Sequence, residues 1–277
     1  MSICLKYILS KGIILYTNHT GHTRLILTEK GLTYMIKKKL LTALCFGLIC
    51  TVVGVLGYNA DRRLVIETAN YQASQKLDKP VIVIDAGHGG ADGGCVSVNG
   101  KLEKDINLNI LLSLRDMLNV LGYDARCTRE TDRSIHDNGV EGLRNQKESD
   151  MKNRLSLINK FDNAIAVSIH QNKFTDEQYS GAQMFYCPKV TGSEQLASIM
   201  QKQFVSKLQP DNTREIKQVT DELYLLNNAK CPAVMIECGF LSNKEEADKL
   251  ESPDYQHKVA FTIFSGISEY RATNISI

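Results

Sequence analysis

The stretch Val81-Ile82-Val83-Ile84-Asp85-Ala86-Gly87-His88-Gly89-Gly90 decides the fold of this 277-residue chain. Its first four residues are all β-branched, so we predict a strand that is covered on both faces, because a half-exposed strand alternates apolar with polar side chains. The glycines that follow let the backbone turn sharply and leave His88 unobstructed. The stretch therefore predicts a buried strand that delivers a histidine to the edge of a sheet.

Apolar strands and amphipathic helices alternate along the chain after this stretch. Leucines recur at three- and four-residue steps between Asp105 and Leu121, which is the spacing of one buried helix face, and Gly122 ends the pattern. The alternation predicts an α/β fold over residues 80–272: a single domain with a mostly parallel twisted sheet and helices on both faces. Further strands are predicted at 124–128, 164–169, 183–186 and 233–236, and further helices at 150–159, 194–208, 244–250 and 255–270.

A charged and then apolar segment precedes this predicted domain. Three lysines, Lys37 to Lys39, are followed by nineteen uncharged residues at 40–58. That length nearly reaches the roughly 20 residues that cross a bilayer as a helix, and it exceeds the roughly 7 to 15 apolar residues of a secretory signal. Residues 35–60 are therefore predicted to be an uncleaved signal anchor or a cleaved signal peptide. Tyr58 favours the anchor, because it is too large for a cleavage site.

The order of charge and apolar residues also predicts where the body lies. Positive charges ahead of the apolar segment place the amino end inside the cytoplasm and the body outside it. We therefore expect an exported, membrane-anchored domain. Residues 1–34 are interpreted as an extension upstream of a native start at Met35, with a short cytoplasmic tail as the alternative, and residues 61–79 as a linker.

The composition of the chain argues against several classes of function. The whole chain carries a net charge of +2, but residues 1–60 hold seven Lys or Arg and one acid, so residues 61–277 carry −4. A mildly acidic body without clustered Lys and Arg is not expected to bind nucleic acid. The absence of tryptophan argues against a sugar-binding module built on stacked indoles. The cysteines of the body form no C-x-x-C pair, so a thiolate zinc site is not predicted either.

Three predicted strands end in a residue that can bind a metal or transfer a proton. His88 follows the first strand, His170 follows the strand at 164–169, and Glu237 closes the strand at 233–236. Ligands of open α/β sheets bind beyond the carboxyl ends of the strands, so we expect these side chains to share a site. A carboxylate that ends so apolar a run needs its charge paired or used, because unpaired burial costs several kcal/mol. We therefore predict a functional role for Glu237.

The two histidines favour a zinc site. Zinc accepts nitrogen and oxygen ligands where thiolates are not offered, and a catalytic zinc site keeps three protein ligands and one water. His88 and His170 therefore need one acid beside them. Glu103 fits, because it lies just ahead of the first predicted helix, but the spacing alone does not separate it from Asp92 or Asp105.

Four sequence motifs carry a resemblance to a known family. They are the stretch at 85–90, Glu103, Ser-Ile-His-Gln-Asn at 168–172 and Glu-Cys-Gly-Phe-Leu-Ser-Asn at 237–243, in this order. Together they resemble the motifs of the zinc-dependent N-acetylmuramoyl-L-alanine amidases, a family of bacterial cell-wall enzymes with an α/β fold. The resemblance covers about residues 80–270, and four motifs in order are highly specific.

The resemblance implies both a substrate and a set of roles. The substrate is peptidoglycan, at the amide that joins N-acetylmuramic acid to the L-alanine of the stem peptide. One zinc ion is bound by His88, Glu103 and His170, and Glu237 matches the catalytic acid of the family. We further expect Asn172 to orient the substrate carbonyl and expect hydrogen bonds from Asp85 or Arg154 to support the metal ligands.

A finer resemblance lies in an insertion at residues 134–150. The sequence from Asp137 to Arg154 is similar to that of the germination-specific amidases of endospore formers. This similarity implies a role in forming muramic δ-lactam in the spore cortex. Within the insertion, His136 is interpreted as a loop residue and not as a fourth ligand. Family members are often restrained until an activator docks, so a lipoprotein activator is a further expected partner. The alternatives are a vegetative cell-wall amidase, an inactive wall-binding relative and a peptidase of the stem peptide.

Overall fold

The computed structural model describes residues 5–9, 13–17, 22–27, 29–77, 80–219 and 222–274, and the chain divides into two compact units, residues 1–74 and 75–277. The first unit contains a small antiparallel sheet of three strands in chain order. A long helix follows this sheet. These elements are β1 (Leu5–Leu9), β2 (Ile13–Thr17), β3 (Thr23–Leu27) and α1 (Glu29–Leu77).

The predicted segment at 35–60 lies within α1. The predicted linker at 61–79 is helical up to Leu77, and residues 78 and 79 lie outside the described residues. Among the described residues, no helix is long and apolar enough to cross a membrane. The signal or anchor therefore stays a prediction.

The second unit is built on one six-stranded sheet with the order β5-β4-β6-β9-β7-β8. Neighbouring strands run parallel except β7 and β9, which pair antiparallel. The strands are β4 (Val81–Ala86), β5 (Asp124–Cys127), β6 (Ala164–Asn172), β7 (Gln183–Tyr186), β8 (Lys217–Gln218) and β9 (Ala233–Phe240). The helices are α2 (Glu103–Val120), α3 (Leu143–Ile158), α4 (Ser193–Lys207), α5 (Tyr224–Asn228), α6 (Lys244–Leu250) and α7 (Pro253–Asn274).

Two apolar clusters cover the two faces of this sheet. One joins Ile82 and Ile84 of β4 to the buried faces of α2, α4 and α7, and the other joins Val83 of the same strand to α3 and α5. Neighbouring strand residues thus enter different cores, which is why β4 is apolar without alternation. The predicted α/β fold, with a mostly parallel sheet and helices on both faces, is confirmed.

The strand register aligns the residues that matter for chemistry. Asp85 pairs with Ser168, and His170 pairs with Glu237, all near the carboxyl ends of the parallel strands. Because side chains alternate between faces, these four residues all point to the face that α3 and α5 cover. The site therefore forms at the carboxyl ends of the parallel strands, on the face of the sheet that α3 and α5 cover.

Several element bounds differ from the prediction. Helix α3 begins at Leu143 and not near Asp150 as predicted. Its first two turns are polar and largely exposed, so they show no apolar periodicity from which the start could be predicted. Half of the insertion at 134–150 is therefore helix. The short elements α5 and β8 were not predicted, since five and two residues are too few to show a pattern.

Candidate metal centre

His88, Glu103 and His170 converge into one group of metal-ligating side chains. One donor atom from each lies within 4.8 Å of the others. The Nε2 atom of His88 is 3.2 Å from one oxygen of Glu103, and the Nδ1 atom of His170 is 3.1 Å from the other. Two imidazoles and one carboxylate are the set of donors that zinc accepts in catalytic sites.

Glu103 is held in this position by its neighbours. It is the first residue of α2, it is 3% exposed, and it accepts hydrogen bonds from the backbone amides of Cys95 and Gln171 and from the side chain of Asn107. Burial alone would raise the pKa of Glu103, but hydrogen bonds with His170 and His88 and the charges of these rings hold it far below its usual range. Glu103 is therefore an ionised carboxylate in a fixed position.

The two other acids that spacing left open lie outside the group. Asp92 accepts a 3.0 Å hydrogen bond from Nδ1 of His88, on the far side of that ring, and it pairs with Lys147 at 2.8 Å. Asp105 pairs with Lys101 at the surface. The structure thus brings Glu103, and neither Asp92 nor Asp105, together with both histidines.

The His88 ring is presented by an unusual turn. His88 has φ of 64°, in the left-handed region that side-chain-bearing residues rarely adopt. Gly87 allows the close approach of the other ligand, because a Cβ atom there would lie 2.1 Å from the ring of His170. Burial alone would lower the pKa of His88, but hydrogen bonds and negative charge from Glu103 and Asp92 raise it to about 9. The site therefore favours positive charge, as a metal ligand set does.

Two buried arginines hold the backbone of this turn. Arg154 donates to the carbonyls of Ala86 and His88, each at 2.7 Å. Arg129 donates to the carbonyls of Ala86 and Gly87, at 3.0 and 3.1 Å. Four hydrogen bonds from two guanidinium groups thus fix the strained segment that carries the ligand.

Asp85 balances the charge of Arg154 beneath the turn. It accepts hydrogen bonds from Arg154, Ser168 and Thr128 at 2.6 to 2.8 Å. Burial would raise the pKa of Asp85, but Arg154, the charge of His170 and the two hydroxyl donors lower it to about 2. Arg154, paired with Asp85, therefore contacts the backbone of the ligand turn without touching the donor atoms.

Glu237 lies beside the group and is held differently. Among the described residues, its buried Oε2 atom has no hydrogen-bond partner. Burial raises the pKa of Glu237 to about 7. The charge of His170 opposes this rise, and the negative charge of Glu103 adds to it. A carboxyl group with a pKa near neutrality can accept a proton and return it at the same pH.

A groove of about 540 Å³ opens from the His88 turn. Its lining includes Ser134, His136 and Lys147 of the insertion and residues 222–225 at the start of α5. The Nδ1 atom of His136 lies 2.8 Å from the hydroxyl of Ser134, and the ligating group found among the described residues does not include His136. The insertion therefore lines part of the space next to the site.

Two predicted or overlooked features complete the site. Asn172 ends β6, two residues beyond His170, and its carbonyl accepts from the backbone of Leu241; the predicted role of its side chain stays a prediction. The roles of Arg129 and Asn107 escaped the sequence reasoning. Arg129 bonds to residues far from it in the chain, and Asn107 bonds to Glu103 one turn earlier on α2. The Thr128-Arg129 pair at the end of β5 is the signal that could have found Arg129.

The fold and the site define a class: an α/β enzyme with a His, Glu, His metal-ligating group beside a buried carboxyl group. The family model described as N-acetylmuramoyl-L-alanine amidase matches residues 82–269. The chain belongs to this family of amidases, as the resemblance of its motifs predicts.

Individual relatives agree with this assignment. The chain is 39% identical over 198 residues to the germination-specific N-acetylmuramoyl-L-alanine amidase of Bacillus subtilis, covering 71% of this chain and 82% of the relative. It is similar to the CwlD amidase from Clostridioides difficile, solved in complex with the GerS lipoprotein, with 37% identity, a TM-score of 0.68 and coverage of 70% of this chain and 100% of the other. An N-acetylmuramoyl-L-alanine amidase from Clostridium difficile 630 matches at 30% identity and a TM-score of 0.61, covering 70% and 98% of the two chains.

Proposed function

We propose that this chain is a zinc-dependent hydrolase of the amide between N-acetylmuramic acid and the L-alanine of peptidoglycan stem peptides. One observation carries the proposal: His88, Glu103 and His170 converge to within 4.8 Å beside Glu237, whose buried carboxyl oxygen lacks a partner among the described residues. Buried polar atoms are almost always hydrogen-bonded, so an exception on the residue that pairs with His170 in the sheet points to a reacting group. Membership of the amidase family supports the choice of bond.

The residues fit one zinc ion. His88, Glu103 and His170 would hold it, and Asp92 would orient the His88 ring through Nδ1, as carboxylates commonly do for metal-binding histidines. A bound zinc ion supplies Lewis-acid chemistry: it polarises a carbonyl group and makes water acidic enough to lose a proton near neutral pH.

Glu237 moves the protons of the reaction in this proposal. With a pKa of about 7, its carboxylate takes a proton from the attacking water and then delivers it to the departing nitrogen of alanine. The amide C–N bond breaks as the nitrogen is protonated, and the lactyl group of muramic acid becomes a carboxylate. Asn172 would orient the carbonyl that is attacked.

The biological setting that we propose is the spore cortex. The insertion at 134–150 and the similarity to a germination-specific amidase support a role in forming muramic δ-lactam, over vegetative wall turnover. We infer that residues 35–60 direct export and attach the protein to the membrane, so that the domain works outside the cytoplasm. Because the CwlD amidase was solved with a lipoprotein, we also propose a lipoprotein activator for this chain.

Removal of the metal is expected to abolish hydrolysis of a purified muropeptide, and one equivalent of zinc should restore it. Loss of a residue that only supports a metal ligand weakens metal binding by up to roughly 100-fold. The Glu103→Gln variant should weaken zinc binding by more than this, because it removes a ligand itself. Zinc affinity is measured with a competing chromophoric chelator, and hydrolysis by the appearance of new amino termini.

Asp105→Asn is the matched control for this experiment. Asp105 lies in the same turn of α2 as Glu103, but it pairs with Lys101 at the surface. This variant should bind zinc and hydrolyse muropeptide like the unaltered chain. Hydrolysis that persists at full rate after chelation, or zinc loss in Asp105→Asn and not in Glu103→Gln, would overturn the metal assignment.

A further inference from the structure

The groove beside the site is lined by three Lys or Arg side chains within the described residues, and they differ in how they are paired. Arg154 is buried between Asp85 and Asp150. Lys147 lies 2.8 Å from Asp92. Arg133 is exposed, and its guanidinium makes no ion pair or hydrogen bond with any described residue. Arg133 is thus a positive charge of this groove that the protein itself does not neutralise.

The backbone of Arg133 is nevertheless fixed in position. Its carbonyl packs so closely on Gly89 that a Cβ atom there would lie 2.4 Å from it, and its backbone amide donates to Thr131. The neighbouring acid, Asp132, is occupied, since it accepts from Lys104 and from the backbone of Gly90. The Arg133 side chain therefore starts from a fixed backbone next to the His88 turn, and the acid beside it is already paired.

The groove also carries one negative charge without a partner among the described residues. Glu222 is exposed, lines the groove and makes no ion pair with a described residue. A bound peptide that carries an anion is therefore favoured near Arg133 and disfavoured near Glu222.

We propose that Arg133 is a specificity-determining residue that binds a carboxylate of the stem peptide on the departing side of the amide. This inference rests on the proposed amidase function. In peptidoglycan, the alanine is followed by a γ-linked glutamate residue, and this linkage leaves the α-carboxylate of that residue free. A guanidinium group matches a carboxylate with two parallel hydrogen bonds, which a primary amide in the same place does not accept. Arg133 thereby distinguishes stem peptides with a free α-carboxylate from those in which this group is amidated.

The test uses the full chain with zinc and two synthetic muropeptides that differ only in this group, one with the carboxylate and one with the amide. The unaltered chain should have a KM about tenfold lower for the carboxylate form. Arg133→Gln should raise the KM for that form about tenfold, leave kcat within twofold, and leave the KM for the amide form unchanged, while Arg133→Lys should restore part of the preference. Arg144→Gln is the matched control, since Arg144 is an exposed arginine of the adjoining insertion that does not line the groove.

A binding measurement separates recognition from turnover. The released peptide that begins with alanine is titrated into the zinc-loaded chain, which cannot cleave it further, and Arg133→Gln should weaken its binding while Arg144→Gln should not. Equal KM values of the unaltered chain for both muropeptides would overturn the role of Arg133 while leaving the amidase function intact. An equal rise of both KM values in Arg133→Gln would also overturn it, because it would indicate a merely structural effect. Failure of the unaltered chain to cleave either muropeptide would instead overturn the proposed function.

Discussion

Glu237→Gln is expected to lower the rate of muropeptide hydrolysis by about three orders of magnitude, within the range that loss of a general acid or base produces. Glutamine keeps the size and shape of the side chain but cannot accept and return a proton. The variant should still bind one zinc ion, because the metal-ligating group consists of His88, Glu103 and His170. Turnover is followed by new amino termini, and metal content by elemental mass spectrometry.

The same variant should unfold at an equal or higher urea concentration than the unaltered chain. Glu237 carries a buried carboxyl oxygen without a partner among the described residues, and such functional groups are often retained at the expense of stability. Glu245→Gln is the control, since Glu245 is an exposed acid that pairs with Lys249 on α6. If Glu237→Gln kept more than a tenth of the activity, Glu237 would not be the residue that transfers the protons.

Arg154→Met is expected to destabilise the second unit by about 4 kcal/mol, because it leaves Asp85 and Asp150 as buried charges without their partner. Methionine fills most of the volume, so the loss comes from charge and not from a cavity. The variant also leaves the carbonyl of His88 without its hydrogen bond from Arg154, so zinc affinity should fall as well. Urea unfolding, read as a change in midpoint at constant slope, gives the free energy.

Lys152→Met serves as the control for this loss of positive charge. Lys152 lies two residues earlier on the same helix, but it is exposed and pairs with Glu148 at the surface. Its unfolding midpoint should not change. An Arg154→Met variant with the midpoint of the unaltered chain would show that the buried network does not hold the fold or the ligand turn.

Much of the fold could be predicted because the sheet is covered on both faces. Uninterrupted apolar runs such as Val81 to Ile84 occur where helices pack on both sides, so strand, helix and fold class follow from one pattern. The first half of α3 could not be found, because its side chains face solvent and carry no apolar repeat. The short strands β1 to β3 lie in residues that the sequence analysis set aside as an extension.

The site could be predicted in part for a similar reason. His88, His170 and Glu237 end apolar strands, and the carboxyl ends of parallel strands gather at one edge. Glu103 reaches the site from the amino end of a helix and not from the end of a strand. Its spacing therefore did not distinguish it from Asp92 and Asp105, and the family motifs were needed to identify it. Arg129 acts through hydrogen bonds to residues far from it in the chain. Asn107 donates to Glu103 one turn earlier on α2, but no apolar or motif pattern singles out this residue.

The most direct test of the account is the identity of the products released from a defined muropeptide. We predict that the zinc-loaded chain yields N-acetylmuramic acid with a free lactyl carboxylate and an intact stem peptide with alanine at its new amino terminus. Mass spectrometry of both fragments distinguishes this cut from every other. A shortened peptide that stays attached to muramic acid, or an unchanged muropeptide, would contradict the account.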